Sequence, residues 1–519
     1  MLYKKQLCSL AGVLAIGSIL TLNACQDHRS TPDPVSIPDA TVYALTNANQ
    51  LLTVGLKTLS AAPVTVPISF TAGTPSDERI LAIDFRPATG QLYGVSNMSR
   101  LFVINPATGA ARALTTTAFT PAITGSVVAL DFNPTVDRIR LVTNMGQDLR
   151  LNPETGGVAA IDGPINGVAG AMISEVAYTN NRAGATTTTL YDIDPATDRL
   201  YIQNPPNNGT LTDVGPLGLD ITGAAGFDIS PTDNSQGLVA VTFNGASELD
   251  QINLSTGRLQ KLGNLPGTII GLAIPTEPVA YAIEGVSNIL VFNPMNPVPA
   301  SKTIAGLQPS ETLLGIDTRP VNGQLFALGS SSRLYSIAVT ATTSWSAVAV
   351  GSAGAFTLSG TDFGFDFNPT VDRIRVVSNT GQNIRLNPND GTLAATDTPL
   401  AFSPAGGTPN VTAAAYTNNF AGATTTALYD IDVRPGTGSF LLLQNANAGT
   451  LTTVGALNVD AESANGFDIG GTTGSAYALL RVAGSTKVYM INLTSGAATA
   501  GATLPGSPTV CGFTLGLGF

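Results

Sequence analysis

Arginine is the side chain whose spacing points most directly to chemistry in this sequence. The residues concerned are Arg138, Arg140, Arg150, Arg373, Arg375 and Arg385. Arg138 and Arg140 alternate with apolar residues, so in a strand both guanidinium groups project from one face. Because a guanidinium binds a carboxylate or a phosphate through two parallel hydrogen bonds, the pattern predicts a site for an anion or a sugar acid. The alternative is pairing that locks neighbouring structural units together. The aspartates available for such pairing are Asp131, Asp137, Asp148, Asp366 and Asp372.

Aspartates beside apolar residues form a second candidate set. They are Asp84, Asp131, Asp228, Asp317, Asp366 and Asp468. A ring of carboxylates near an axis is suited to Ca²⁺, which prefers six to eight oxygen ligands. The alternative is structural, since a buried aspartate accepts backbone N–H bonds. We predict no other cofactor.

Two tyrosine and asparagine pairs, Tyr178 with Asn180 and Tyr416 with Asn418, precede threonine-rich segments. An aromatic face stacks on a pyranose ring while an amide both donates and accepts hydrogen bonds, so these residues are candidates for sugar binding. The same residue types are also ordinary components of turns and strands.

A single histidine narrows the catalytic chemistry. His28 lies just after a predicted leader, so the folded part contains no histidine, which excludes Ser-His-Asp and Cys-His catalysis and His-ligated metals. The three cysteines, Cys8, Cys25 and Cys511, provide no disulfide framework. Catalysis by carboxylates, tyrosine, lysine or a Ser-Lys pair remains open, and we assign no catalytic residue.

The 519 residues suffice for several hydrophobic cores. The chain has 24 Lys and Arg against 35 Asp and Glu, and this acidic balance argues against a nucleic-acid partner. A hydrophobic content of 43% with only 11% charged residues is the reverse of the composition of disordered chains.

Residues 1–24 combine Lys4 and Lys5 with an apolar run that ends just before Cys25. This segment resembles a bacterial lipoprotein signal peptide, which implies that Cys25 is the lipid-attachment site. The run is too short to span a bilayer. Gln26 rather than Asp follows the cysteine, and the resemblance then implies the outer membrane. The proline-containing segment 25–39 is expected to be a tether.

The rest of the chain is duplicated. DFNPTVDRIR at 131–140 recurs identically at 366–375, and the shorter blocks YTNN, LYDID and GFDI repeat in the same order. Several ordered matches indicate two homologous domains, at 40–276 and 277–519.

Each half contains a shorter unit of strands that end in Asp-Phe-x-Pro or Asn-Pro-x-x-Gly. Ten such units average about 48 residues, close to the roughly 40–45 residues of a propeller blade. The segments at 267–274 and 511–519 are predicted to complete the blades that open at 41–47 and 279–285. We therefore predict an all-β protein of two tandem five-bladed β-propellers. One ten-bladed ring is the main alternative, and sandwiches or solenoids are others.

The DFNPxVDRIR run, together with YTNN, LYDID and GFDI, resembles a bacterial family of domains of unknown function, present here twice. The resemblance implies a secreted or surface-attached propeller-like domain and carries over no catalytic residues.

These observations predict a lipid-anchored module of the cell envelope that binds a protein or a glycan without catalysis. The expected partners are the membrane, through the anchor, and an envelope protein or glycan. One alternative is a hydrolase or lyase that uses carboxylates and arginines in an axial pocket. Another is a structural surface or adhesion protein.

Overall fold

A computed structural model describes residues 39–339, 344–434, 436–463 and 465–519. The predicted signal peptide, Cys25, His28 and nearly all of the predicted tether lie outside the described residues. The described part is all-β apart from two short 3₁₀ turns, Leu56–Thr58 and Pro206–Asn208. None of its helical segments has the length and apolar character needed to cross a membrane.

The repeated sequence unit folds as successive antiparallel strands. Ile80–Phe85 pairs with Leu92–Ser96, which pairs in turn with Leu101–Ile104. The first of these strands is largely buried because both of its faces lie against other strands.

The Asn-Pro-x-x-Gly segments are tight turns, as the sequence predicts. The side chain of Asn105 accepts the N–H of Ala107 at 2.9 Å, and Gly109 has a φ of 73°. A Cβ atom on Gly109 would lie 2.1 Å from the carbonyl oxygen of Pro67, so this turn requires glycine.

The first ring has five blades, each built around a four-stranded antiparallel arrangement. From the inner to the outer strand their orders are β21-β1-β2-β3, β5-β6-β7-β8 with β4 outside, β9 to β12, β13 to β16 and β17 to β20. The strands are β1 Thr41–Thr46, β2 Gln50–Gly55, β3 Val64–Pro67, β4 Ser69–Phe70, β5 Ile80–Phe85, β6 Leu92–Ser96, β7 Leu101–Ile104, β8 Ala110–Ala113, β9 Val128–Asn133, β10 Arg138–Thr143, β11 Asp148–Leu151, β12 Val158–Ile161, β13 Glu175–Tyr178, β14 Leu190–Asp194, β15 Arg199–Gln203, β16 Leu211–Pro216, β17 Gly223–Ile229, β18 Gln236–Phe243, β19 Ala246–Asn253, β20 Leu259–Asn264 and β21 Ile269–Ala273.

The second ring repeats this plan, and its first two blades are joined at their outer edges by the parallel pair β24 and β28. Its inner strands are β42, β25, β29, β34 and β38. The strands are β22 Ala280–Glu284, β23 Asn288–Phe292, β24 Ala300–Ala305, β25 Leu313–Thr318, β26 Leu325–Gly329, β27 Arg333–Val339, β28 Ser344–Val350, β29 Phe363–Asn368, β30 Arg373–Ser378, β31 Asn383–Leu386, β32 Leu393–Thr396, β33 Ala401–Phe402, β34 Val411–Tyr416, β35 Leu428–Arg434, β36 Gly438–Asn445, β37 Thr450–Ala456, β38 Asn465–Ile469, β39 Ala476–Val482, β40 Ser485–Ile491, β41 Ala498–Thr503 and β42 Val510–Leu515.

Each ring closes on itself, because its last strand completes its first blade. β21 pairs with β1 and β42 pairs with β22, and the five inner strands of each ring contact one another in turn. Closure removes the exposed strand edge. The predicted fold is therefore confirmed, and the ten-bladed alternative is excluded. The apolar core lies between neighbouring blades, around the axis of each ring.

Candidate functional site

Three of the predicted aspartates meet at the axis of the first ring. Asp84, Asp131 and Asp228 lie on the inner strands β5, β9 and β17, and each is 1% exposed. One carboxylate oxygen from each lies within 4.8 Å of the others. Asp317, Asp366 and Asp468 form the corresponding cluster in the second ring. The structure thus brings the six candidates together as two clusters of three. We call Asp84, Asp131 and Asp228 the first axial triad, and Asp317, Asp366 and Asp468 the second axial triad.

The axial carboxylates connect neighbouring blades. Asp84 accepts the backbone N–H of Phe132 at 2.8 Å, and Asp131 accepts that of Tyr178 at 3.1 Å. In each case the donor belongs to the inner strand of the next blade. The structural role that the sequence also allows is therefore present in the first ring.

The second ring repeats these bonds. Asp317 accepts the N–H of Phe367 at 2.7 Å, and Asp366 accepts that of Tyr416 at 3.0 Å. The same type of contact thus ties the blades of both rings together.

Burial is the largest cause that raises the pKa of every axial aspartate. For Asp84 and Asp131 the neighbouring carboxylates raise the pKa further, well above its usual range. The pKa of Asp228 is raised to about 7, as is that of Asp468 in the second ring. The triads therefore favour proton or cation binding over three bare negative charges.

Two of the predicted arginines, Arg140 and Arg375, are almost fully buried and are not open to a ligand. Arg140 is 1% exposed, and its Nη1 donates to Asp148 and Asp162 at 2.5 Å each. Its Nε donates to the hydroxyl of Tyr178 at 3.2 Å, and its Nη2 to Asn207 at 2.9 Å. These contacts connect two blades.

Arg375 occupies the same position in the second ring with one change of partner. It donates to Asn383 at 2.7 Å, where the first ring has Asp148, and to Asp397 at 2.6 Å. Tyr416 and Asn447 complete its contacts at 3.2 and 2.8 Å. Its guanidinium is buried to the same extent as that of Arg140.

The other predicted arginines lie nearer the surface. Arg150 and Arg385 each make a two-pronged contact, to Asp162 and Asp397 respectively, at 2.8 Å. Arg138 and Arg373 are half-buried, and each donates to the carbonyl oxygen of the aspartate that precedes it, at 2.8 and 2.9 Å.

The predicted tyrosines lie in the core. Tyr178 and Tyr416 are 1% exposed, so their ring faces are not available to a sugar. Asn180 and Asn418 lie in left-handed turns with φ of 56° and 57°. Each donates its Nδ2 to a threonine carbonyl, at 2.9 and 2.8 Å. Their geometry is that of turn residues.

Sequence reasoning did not select two further buried aspartates. Asp192 and Asp430 are fully buried, and neither oxygen of either carboxylate has a hydrogen-bond partner among the described residues. Burial raises the pKa of both well above its usual range. Both residues belong to the repeated LYDID block, and this repetition is the sequence signal that could have identified them.

A cavity of about 780 Å³ between the two rings was also missed. We call it the junction cavity. Its walls come from the β4 to β8 blade, the linker around Thr276 and the C-terminal residues 516–519, and they include the aromatic rings of Phe70, Phe85 and Phe420. No local motif predicts this cavity, because distant segments form it only after both rings have closed.

Two polar side chains at the junction cavity, Arg112 and Thr276, lack an ion-pair or hydrogen-bond partner among the described side chains. Arg112 is half-buried, and it donates only to the carbonyl oxygens of Val321 and Ala113, at 2.9 and 3.5 Å. No described carboxylate forms an ion pair with it, and burial lowers its pKa. The hydroxyl oxygen of Thr276 is buried and has no hydrogen-bond partner in the described part of the chain. The cavity therefore offers a positive charge among apolar walls, while the Thr276 hydroxyl is buried within one of them.

The fold defines a tandem β-propeller with two closed five-bladed rings. The family of domains of unknown function DUF4394 matches residues 70–273 and 288–514, which is most of the chain. The chain therefore belongs to this family and carries it twice, which confirms the resemblance seen in the sequence. No curated protein matches.

Solved structures with detectable similarity include bacterial surface proteins. PorZ of Porphyromonas gingivalis, a surface component of the type-IX secretion system, is 15% identical over 92% of this chain, with a TM-score of 0.26. This chain spans only 59% of PorZ. An extracellular domain from B. thetaiotaomicron is 10% identical over 92% of this chain and 68% of its own length, with a TM-score of 0.25. The strand pairing above establishes the fold independently of these similarities.

Proposed function

We propose that this protein is a noncatalytic binding module of the cell envelope, and that a glycan bearing an acidic sugar binds in the junction cavity. The observation that carries this proposal is Arg112, a half-buried arginine at the wall of a cavity with aromatic sides, for which the described residues provide no carboxylate partner. Its volume of about 780 Å³ lies within the roughly 300–1,000 Å³ of ordinary ligand pockets.

Each wall of the cavity matches one part of such a ligand. Aromatic rings such as Phe70 and Phe420 provide apolar faces for pyranose rings. Arg112 provides the charge for a sugar carboxylate.

Burial argues against the enzymatic alternative at the ring axes. The six axial aspartates are at most 1% exposed, so a substrate would have to displace packed strands to reach them. Arg140 and Arg375, which we call the central arginines of the two rings, are already held by carboxylate acceptors.

Calorimetric titration with trigalacturonate tests the proposal, and neutral maltotriose is the matched control. We expect saturable binding of the acidic sugar and weaker binding of the neutral one. Arg112→Gln should lower affinity for the acidic sugar about 10- to 100-fold, because a charged hydrogen bond is lost. Arg138→Gln, an arginine outside the cavity, should leave it unchanged. Absence of binding, or equal binding by the Arg112→Gln variant, contradicts the proposal.

We also propose that Cys25 carries the lipid that holds the module at the outer membrane. This is supported by the small residues and the apolar run that precede Cys25. Expression of the full chain with Cys25→Ala should move the protein from the membrane fraction to the soluble fraction. An unchanged membrane fraction would argue against lipid attachment at this residue.

A further inference from the structure

The two axial triads differ at one position of the inner ring. Asp228 accepts the backbone N–H of Ile274 at 2.6 Å, and Asp468 accepts that of Leu515 at 2.6 Å. The residues that precede these two donors, Ala273 of β21 and Thr514 of β42, therefore occupy equivalent positions in the two rings. Both lie at the same register, since Ala273 pairs with Tyr43 and Thr514 pairs with Tyr281. The first ring therefore has a methyl group where the second has a hydroxyl.

The hydroxyl satisfies the second triad. Thr514 Oγ1 lies 2.8 Å from Asp317 Oδ1 and 3.0 Å from Asp468 Oδ2. A hydroxyl has a single proton and donates it to one carboxylate at a time. The other short contact then needs a proton on the carboxyl group, which donates to the threonine oxygen. Thr514 and one protonated aspartate thus close the second triad without a cation.

The first triad lacks this closure. Asp131 Oδ2 is buried and has no hydrogen-bond partner among the described residues. The side chain of Ala273 has no polar atom that could contact this triad. Beside it, Asn181 is fully buried and its Oδ1 is also without a partner there, while its Nδ2 lies 3.5 Å from Asp228 Oδ1. The second ring repeats this amide as Asn419, so the amide is common to both rings, whereas the Thr514 hydroxyl that contacts Asp317 and Asp468 has no counterpart at Ala273.

We propose that the first axial triad binds a divalent cation of the calcium type and that the second triad does not. The oxygens of Asp84, Asp131 and Asp228 lie within 4.8 Å of one another. A central ion therefore reaches all three at close to the roughly 2.3–2.6 Å of calcium–oxygen bonds. The Asn181 amide lies beside the cluster and presents its Nδ2 to Asp228 Oδ1 at 3.5 Å.

Such an ion compensates carboxylate charges that the backbone N–H groups around them offset only in part. Three carboxylates in a dry environment repel one another, and two positive charges remove most of that repulsion. Because the ligands come from three different blades, the ion also joins β5, β9 and β17. Its binding energy therefore stabilises the closed first ring.

Calcium titration of the full chain after treatment with a chelator tests this assignment. Equilibrium dialysis with ⁴⁵Ca²⁺ should give one ion per wild-type chain. Asp131→Asn should abolish binding, whereas Asp366→Asn, its counterpart in the second ring, should retain one ion. Zero or two ions on the wild type, or one ion on Asp131→Asn, overturns the proposal.

The position that separates the rings allows a reciprocal exchange. Ala273→Thr introduces the closing hydroxyl into the first ring and should lower the stoichiometry to zero. Thr514→Ala removes it from the second ring and should raise the stoichiometry to two. Circular dichroism in chelator identifies any variant that is unfolded. If an exchange variant is unfolded, the comparison of Asp131→Asn with Asp366→Asn tests the proposal instead. A folded Ala273→Thr chain that still binds one ion contradicts the role of the hydroxyl.

Discussion

The two rings share an identical ten-residue segment, yet their interiors contain different partners for the same side chains. The central arginine faces Asp148 in the first ring and Asn383 in the second. At the axis, Ala273 in the first ring corresponds to Thr514 in the second. The first ring thus has one more carboxylate beside this arginine and one hydroxyl fewer at its axis. The comparison indicates that duplication preserved the contacts between blades while the charge around them diverged.

Removal of the central arginine should have the largest effect and should separate the rings. Arg140→Ala leaves Asp148 without a cation, with only the Gln203 amide donating to it at 2.7 Å. We expect a loss of about 3–5 kcal/mol in the free energy of unfolding, as for other broken buried pairs. Arg375→Ala should cost about 1–2 kcal/mol less, because its partner Asn383 is neutral, while Arg150 and Arg385 still hold Asp162 and Asp397 in the two rings alike.

Calorimetric unfolding of both variants measures this difference. Asp148→Asn combined with Arg140→Ala gives the first ring the neutral partner of the second and should recover most of the difference. Equal destabilisation by the two single variants would show that Asp148 carries no charge in the folded protein.

The pH dependence of stability should have an intermediate effect. The folded-state pKa of Asp228 and of Asp468 is raised to about 7, and that of Asp148 to about 6, all above the unfolded value of 3.8. The folded state therefore binds more protons, so stability increases as pH falls through this window and is lost as pH rises through 7. Without calcium, we expect a Tm at pH 5 that exceeds the Tm at pH 8 by at least about 4 °C.

Calcium should reduce the difference in Tm between pH 5 and pH 8 only for the first ring, because the bound ion replaces protons on the aspartates of that ring. Differential scanning calorimetry at both pH values, with chelator and with calcium, provides the measurement. A Tm that is higher at pH 8 than at pH 5 in chelator would contradict the account of the triads.

Most of the fold follows from the sequence because each local signal agrees with the next. The repeated DFNPTVDRIR run locates the two halves of the chain. The last strand of each half, which contains Ala273 or Thr514, indicates ring closure because it completes the first blade. The axial aspartates follow from the same repeats, since each lies at the end of an inner strand.

The partners of the arginines were less accessible from sequence. Asp162 and Asp397 bind the central arginines from segments 22 residues further along the chain, and no spacing rule selects them over nearer aspartates. Tyr178 enters the core because the strand alternation directs it inward, where its hydroxyl meets Arg140. The junction cavity depends on how the two closed rings pack, which local patterns do not encode.

The smallest effect is expected where the rings are alike. Arg138→Gln and Arg373→Gln remove half-buried side chains that donate to a neighbouring carbonyl oxygen. Each should change the free energy of unfolding by less than about 1 kcal/mol, and by equal amounts in the two rings. Chemical denaturation provides the comparison. A large difference between these variants would indicate a role for one of them that its contacts do not explain.

A crystal structure of residues 40–519 grown with calcium, at a resolution that shows ions and waters, tests the difference between the rings most directly. We predict ion density among Asp84, Asp131 and Asp228, and none among Asp317, Asp366 and Asp468, where Thr514 closes the triad. Density for an ion in both rings, or in neither, would contradict the account.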